Sequence, residues 1–198
     1  GSKVETVNRF FEQFNTVMMT MIDIMLKVAP IGVFCLIART FANLGITGMM
    51  PMLKFILTVY GGLFIQLFIV YAIIFVLFTC LNPFWFLRKM LPVILFAFST
   101  SSSNATIPLN LETLERKCGV DEKVASFTIP LGATINMSGT AIMQGVAVVF
   151  VAQAFGIDLS TSALMTVVIT AVTAAIGTAG VPGVGTIMLA MVFESVGL

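Results

Sequence analysis

The stretch LFAFSTSSSNATIPL, Leu95 to Leu109, places three consecutive serines, flanking threonines and an asparagine directly after an apolar run. PLGATINMSGTAIMQG, Pro130 to Gly145, carries Asn136, Ser138, Thr140 and Gln144 among apolar neighbours, and GTAGVPGVG, Gly177 to Gly185, sets four glycines around Pro182. All of these groups are neutral, so they offer hydrogen bonds and oxygen donors rather than charge. Free N–H groups where a helix starts attract carboxylates, and carbonyl or hydroxyl oxygens suit a hard cation. Other chemistry is poorly supplied. The sequence holds no histidine, which removes the commonest general base and metal ligand and leaves a nucleophilic Ser103 without a partner. Cys35, Cys80 and Cys118 have no metal-like spacing, and the two in apolar runs read as buried free thiols.

The elements that must position these groups belong in hydrocarbon. Of 198 residues, 59% are hydrophobic and 10% charged, and the mean hydropathy is +1.09. A soluble domain averages about 45–50% apolar and about 25% charged residues. A net charge of +1 argues against nucleic acid as a partner. The first residues are polar and the apolar runs after them too long for an h-region, so no cleavable signal peptide is expected.

A bilayer core needs about 20 apolar residues in a helix. Ile24–Gly45 qualifies, with a bend expected at Pro30, and the charge-free run Phe55–Leu81 reads as a second span. Further charge-free intervals run from Val124 to Ile157 and from Leu159 to Phe193. The last has Gly177–Gly185 at its centre, where its helix must break. The apolar part of the serine segment, Val93–Phe98, is too short to cross, and its polar tract would be costly in lipid. If residues 92–117 turn back instead, Lys3, Arg9, Arg88, Lys89, Arg116, Lys117 and Lys123 share one face. That is seven of the ten basic residues, as the cytoplasmic bias of Lys and Arg favours. Two broken segments flanking one long helix indicate an inverted-repeat transporter with its site at the breaks. The long helix carries a break of its own in Pro130–Gly145, where helical spacing pairs Thr134 with Ser138, Asn136 with Thr140 and Thr140 with Gln144. Hydroxyls bonding back to their own helix would account for some of these, but not for the amides of Asn136 and Gln144. A channel lined by the carbonyls of TAGVPGVG is the competing reading.

SSSNATIP, LGATINMSGTA and GTAGVPGVG, in this order, resemble the glutamate/aspartate transporter family, the dicarboxylate and amino acid:cation symporters. The resemblance runs from about Val17 to Leu198. It implies an all-α membrane protein, with spanning helices plus two re-entrant helical hairpins in an inverted-repeat core. The chain would lack the family's first four helices and its last. Residues 1–50 resemble a scaffold helix and loop, and residues 51–198 a transport domain of sixth helix, hairpin one (Pro92–Lys117), seventh helix (Val120–Phe155) and hairpin two (Thr161–Gly197). The implied function is sodium-coupled symport of an amino acid or dicarboxylate by a homotrimer in the cell membrane, with sodium as coupling ion and no other cofactor. A proton-coupled symporter of the same family, or a fragment inactive by itself, are the alternatives.

The resemblance also implies residue roles. Ser101 would offer its carbonyl to the substrate and Ser103 its hydroxyl and N–H. Thr140 matches a substrate-contacting hydroxyl, and Val181 and Gly185 match positions whose backbone meets a small anionic or zwitterionic substrate. Gly180 and Gly183 would permit that close approach. Gly132 and Asn136 match one sodium site. Thr134 and Met137 match a second, shared with the carbonyls of Ala175, Ile176 and Thr178. Ser138 stands where relatives carry aspartate, so it marks a third sodium site without its charge. Ser101 matches the serine-rich, animal-type version of its motif, and Asn104 replaces a fourth serine.

Overall fold

The computed structural model describes residues 2–45 and 50–197, and no strand occurs among them. The chain divides into two units, residues 1–53 and 54–198. In the first, α1 (Ser2–Leu44) is a 43-residue helix that continues through Pro30. The expected span Ile24–Gly45 is its second half. Phe10, Phe14, Ile31 and Phe34 are all exposed along it, as is Cys35, so the buried-thiol reading fails there. α1 carries Glu5, Arg9, Glu12, Asp23, Lys27 and Arg39 along its length, and the expected span in its second half is not among the runs of the described residues that are long and apolar enough to cross a membrane.

The second unit opens with α2 (Met50–Ile65), whose first residues precede the boundary. A π turn (Gln66–Val70) joins it to α3 (Tyr71–Thr79). Together they form one apolar run of 30 residues, Met50–Thr79, which covers nearly all of the expected second span. Cys80, with φ 55°, ends the run in the left-handed region and is exposed, which again corrects the expectation of a buried thiol. Asn82 starts the next helix: its side chain accepts from the Phe84 N–H at 2.9 Å, and Pro83 occupies the first turn, where no N–H is needed.

α4 (Pro83–Thr100) and α5 (Ser103–Thr113) pack against each other as a hairpin, and a π turn (Leu114–Cys118) extends α5. Met90, Val93 and Leu114 form the hairpin's small core, with Phe86, Leu109 and Ile129 packed on it. Lys89 Nζ lies over the Trp85 ring, 4.0 Å from its centre, and donates to the Lys117 carbonyl. The outer ends of the two arms therefore lie side by side. α6 (Glu122–Ile135), capped by Asp121, and α7 (Ser138–Ala154) make one long helix interrupted at Asn136–Met137. The interruption corrects the spacing argument, because the pairs Thr134–Ser138 and Asn136–Thr140 straddle it. Only Thr140–Gln144 lies within one helix.

α8 (Thr161–Ile176), capped by Ser160, and α9 (Val184–Glu194) form the second hairpin. Neither arm alone reaches the length of a span. The two runs long and apolar enough to cross a membrane, among the described residues, are Met50–Thr79 and Glu122–Ala154. Val148, Val167, Ala171, Ala174 and Val192 knit α7, α8 and α9 into the main core. Ala147, Ala152 and Ala175 are buried beside them, and such small residues let helix backbones approach closely, as helix association in lipid requires.

Candidate functional site

The site is assembled from three interruptions of helix. The first is the tip of the α4–α5 hairpin, where Ser101 takes φ 50° and closes α4 by donating its N–H to the Ala97 carbonyl at 2.9 Å. A left-handed serine costs about 1–2 kcal/mol relative to an ordinary conformation. Ser102 then caps α5: its hydroxyl accepts from the Ala105 N–H at 3.2 Å and donates to the Gly180 carbonyl at 2.9 Å. Ser103 is the first residue of α5 and is exposed, so its hydroxyl and the positive end of α5 are open to a ligand. Thr106 bonds back to the Ser102 carbonyl at 2.8 Å and is buried.

The second interruption is the tip of the α8–α9 hairpin, residues 177–183. Gly180 is buried, and its carbonyl accepts from both the Ser102 hydroxyl and, at 3.1 Å, the Asn104 N–H. The two tips are thereby joined through one oxygen. A Cβ on Gly180 would come within 2.7 Å of Asn104 Oδ1 and 3.2 Å of Ser103 Cβ, so a side chain there would have to displace the Asn104 amide and press on Ser103. At Gly183 it is the φ of 83° that calls for glycine, and a Cβ there would meet nothing within 4 Å. Val181, half-buried, donates its N–H to the Ala179 carbonyl at 2.8 Å.

The third is the break at Asn136–Met137. Asn136 (φ −92°, ψ 69°) and Met137 (φ −106°, ψ 47°) both leave the helix, and no side chain of α7 caps its own start. Instead Tyr71 reaches across from the head of α3: its hydroxyl donates to Asn136 Oδ1 at 3.1 Å and lies 2.5 Å from Ser138 Oγ. One turn further on, Thr140 faces the second hairpin, where a Cβ on Gly185 would sit 2.9 Å from Thr140 Cγ2. Gln144, fully buried, donates Nε2 to the Gly185 carbonyl at 2.9 Å, while its Oε1 is buried without a partner.

The sequence-predicted residues thus fall into contact groups. Ser103, Gly132 and Asn136 line one open cleft of about 330 Å³ between the first hairpin and α6, with Thr106 and Asn110. Thr140 and Gly185 are in contact, and Asn136 and Ser138 are linked through Tyr71. Thr134 bonds back to Pro130 at 2.9 Å, and the Thr178 hydroxyl to Ala174 at 2.8 Å. The Ala175 carbonyl at the end of α8 accepts the Thr178 N–H at 3.2 Å, and the Gly132 carbonyl accepts the Asn136 N–H at 2.9 Å. Ile176 is exposed beside them. No cluster of three Cys, Asp or Glu side chains occurs among the described residues, and the oxygens at the breaks are backbone carbonyls and neutral side-chain groups. That set fits a hard monovalent cation better than a soft or highly charged one.

Ser102 and Tyr71 are the residues joining these interruptions that sequence reasoning missed. Ser102 was one of three equivalent serines, and Tyr71 sits in an apolar run with only its hydroxyl to distinguish it.

The whole chain, residues 1–198, matches the sodium:dicarboxylate symporter family. Excitatory amino acid transporter 1 of Homo sapiens is 36% identical over 196 residues, 98% of this chain and 36% of that protein. Neutral amino acid transporter A of Bos taurus is 36% identical over 200 residues, 100% of this chain and 38% of the relative. Excitatory amino acid transporter 4 of Mus musculus is 38% identical over 202 residues, 99% and 35% respectively. The chain spans little more than a third of the length of these relatives. With every residue covered and its polar interruptions placed together, the chain belongs to the sodium:dicarboxylate symporter family, whose members are membrane transporters and not enzymes.

Proposed function

We propose that the intact carrier couples uptake of a small anionic or zwitterionic substrate, an amino acid or dicarboxylate, to sodium entry across the cell membrane. The observation that carries this reading is the meeting of the two hairpin tips at the Gly180 carbonyl, with the exposed start of α5 beside it. Ser103, through its hydroxyl and N–H at the positive end of α5, receives a substrate carboxylate, the Ser101 carbonyl and Thr140 hydroxyl complete its contacts, and the backbone at Val181 and Gly185 closes over it. Gly132 with Asn136 holds one sodium, and Thr134 and Met137 share another with Ala175, Ile176 and Thr178. The Gly132, Met137 and Ala175 carbonyls each already accept an N–H, so they meet the cation with their second lone pair.

In this reading both hairpins are re-entrant, residues 1–50 belong to a fixed scaffold, residues 51–198 move as a transport domain, and three copies assemble. The positive end of α5 and the neutral cation ligands favour symport over a simple pore. The test is to reconstitute the full-length carrier in liposomes and impose a sodium gradient. Uptake should saturate with substrate and collapse when sodium is equal on both sides. Ser103→Ala should lower substrate affinity about tenfold, the effect of losing a hydrogen bond to a charged group. Ser101→Gly keeps the carbonyl and relieves the left-handed strain, so affinity should be retained. Uptake that follows a pH gradient and ignores sodium would instead favour the proton-coupled form, and flux that does not saturate would favour a pore.

A further inference from the structure

We propose that Tyr71 is a positioning residue of the cation machinery, holding the Asn136 side chain in place through a hydrogen-bond chain that starts at Ser138. The inference rests on the function proposed above. The proton count fixes the direction of the chain. Tyr71 has a single hydroxyl hydrogen, which it gives to Asn136 Oδ1 at 3.1 Å, so the 2.5 Å contact with Ser138 requires the serine to donate. The order is Ser138 to Tyr71 to Asn136. Each donor in such a chain polarises the next, and the Asn136 amide is held with its oxygen toward Tyr71. The serine oxygen keeps its own lone pairs free. Nothing on α6 or α7 does this locally, because the break has no capping side chain of its own.

The π turn at Gln66–Val70 explains how a residue of α3 comes to lie there. On the same helical run, Leu63 packs on Gly139, where a Cβ would meet Leu63 Cδ2 at 3.4 Å. Tyr71 follows Leu63 by eight residues. At about 100° per residue, a regular helix would rotate it roughly 80° away from the Leu63 direction. The extra residue of a π turn reduces this to seven helical steps, or about 20°, so Leu63 and Tyr71 face the same partner, at Gly139 and Ser138. The turn thus aims the phenol at the break.

The test uses the full-length carrier in liposomes, comparing Tyr71→Phe with the unmodified protein. The sodium concentration for half-maximal uptake should rise about fivefold or more, the scale of one lost hydrogen bond. Substrate KM at saturating sodium and the melting temperature should stay within about twofold and a few degrees, readouts that a merely structural role would move. Ser138→Ala breaks the chain at its other end and should shift sodium dependence in the same direction. The double variant should be no worse than Tyr71→Phe alone, since both remove one chain. If Tyr71→Phe fails to reach the membrane, Tyr71→Leu, which also lacks the hydroxyl, is compared in its place. Unchanged or tighter sodium dependence in the variants overturns the role of Tyr71 while leaving symport intact. An unmodified carrier indifferent to sodium overturns both.

Discussion

Gly180 concentrates the demands of the site in one residue. Its carbonyl serves two donors from the other hairpin, and its missing side chain leaves room for Asn104. Gly180→Ala must push the Asn104 amide aside, since the built Cβ falls 2.7 Å from Oδ1, and must also tolerate Ser103 Cβ at 3.2 Å. We expect it to cut the uptake rate at least tenfold with the protein still present in the membrane. Gly180→Ala combined with Asn104→Ala should recover part of the loss, because the tighter clash is with the end of a removable side chain. Equal loss in the single and double variants, measured as initial uptake normalised to carrier amount, would place the defect in the backbone instead. Asn104 therefore matters through its shape at the tip junction, which its replacement of a serine did not reveal.

At the scale of elements, the first hairpin was legible because its polar tract follows an apolar run too short to cross, and the second because glycines and Pro182 interrupt a run that is long enough. These are strong signals, since polarity and proline act on the backbone wherever they occur. The π turn left no such mark: apart from Gln66, the residues Gln66–Val70 have the same apolar texture as their neighbours. The break in the long helix was legible within Pro130–Gly145 but not to the residue, so the helical pairing drawn across Asn136–Met137 failed. The outer ends of the first hairpin give a direct prediction. Lys89 bonds the Lys117 carbonyl, so both arms end at one level. Single cysteines at Leu91 and Val120 of a cysteine-free full-length carrier should react with a membrane-impermeant thiol reagent from the same side. Labelling from opposite sides would sink the re-entrant arrangement.

At the scale of the whole molecule, the balance of charge bears on coupling. Each carboxylate at a cation site offsets part of the cost of dehydrating sodium, and Ser138 supplies an oxygen but no charge. We predict that the intact carrier moves fewer sodium ions per substrate than relatives with aspartate at this position. The check is the membrane potential at which net flux vanishes under fixed sodium and substrate gradients. A stoichiometry equal to that of an aspartate-bearing relative would show that the neutral chain through Tyr71 suffices.

The junction at Gly180 also has a consequence for biosynthesis. Ser102 and its acceptor are 78 residues apart in sequence, and chains grow at about 5–20 residues per second, so the first hairpin exists for about 4–16 s before its partner has been made. Throughout that interval the Ser102 hydroxyl and the Asn104 N–H have no protein acceptor at Gly180, and leaving them unpaired in hydrocarbon would cost several kcal/mol. The nascent tip must therefore stay hydrated, at the membrane surface or within the insertion machinery, until the second hairpin emerges. A cysteine at Ser102 should be open to a water-soluble thiol reagent in ribosome-bound chains that stop short of Gly180 and become protected once the second hairpin has been completed. Protection in the shorter chains would mean that the tip is buried by another route.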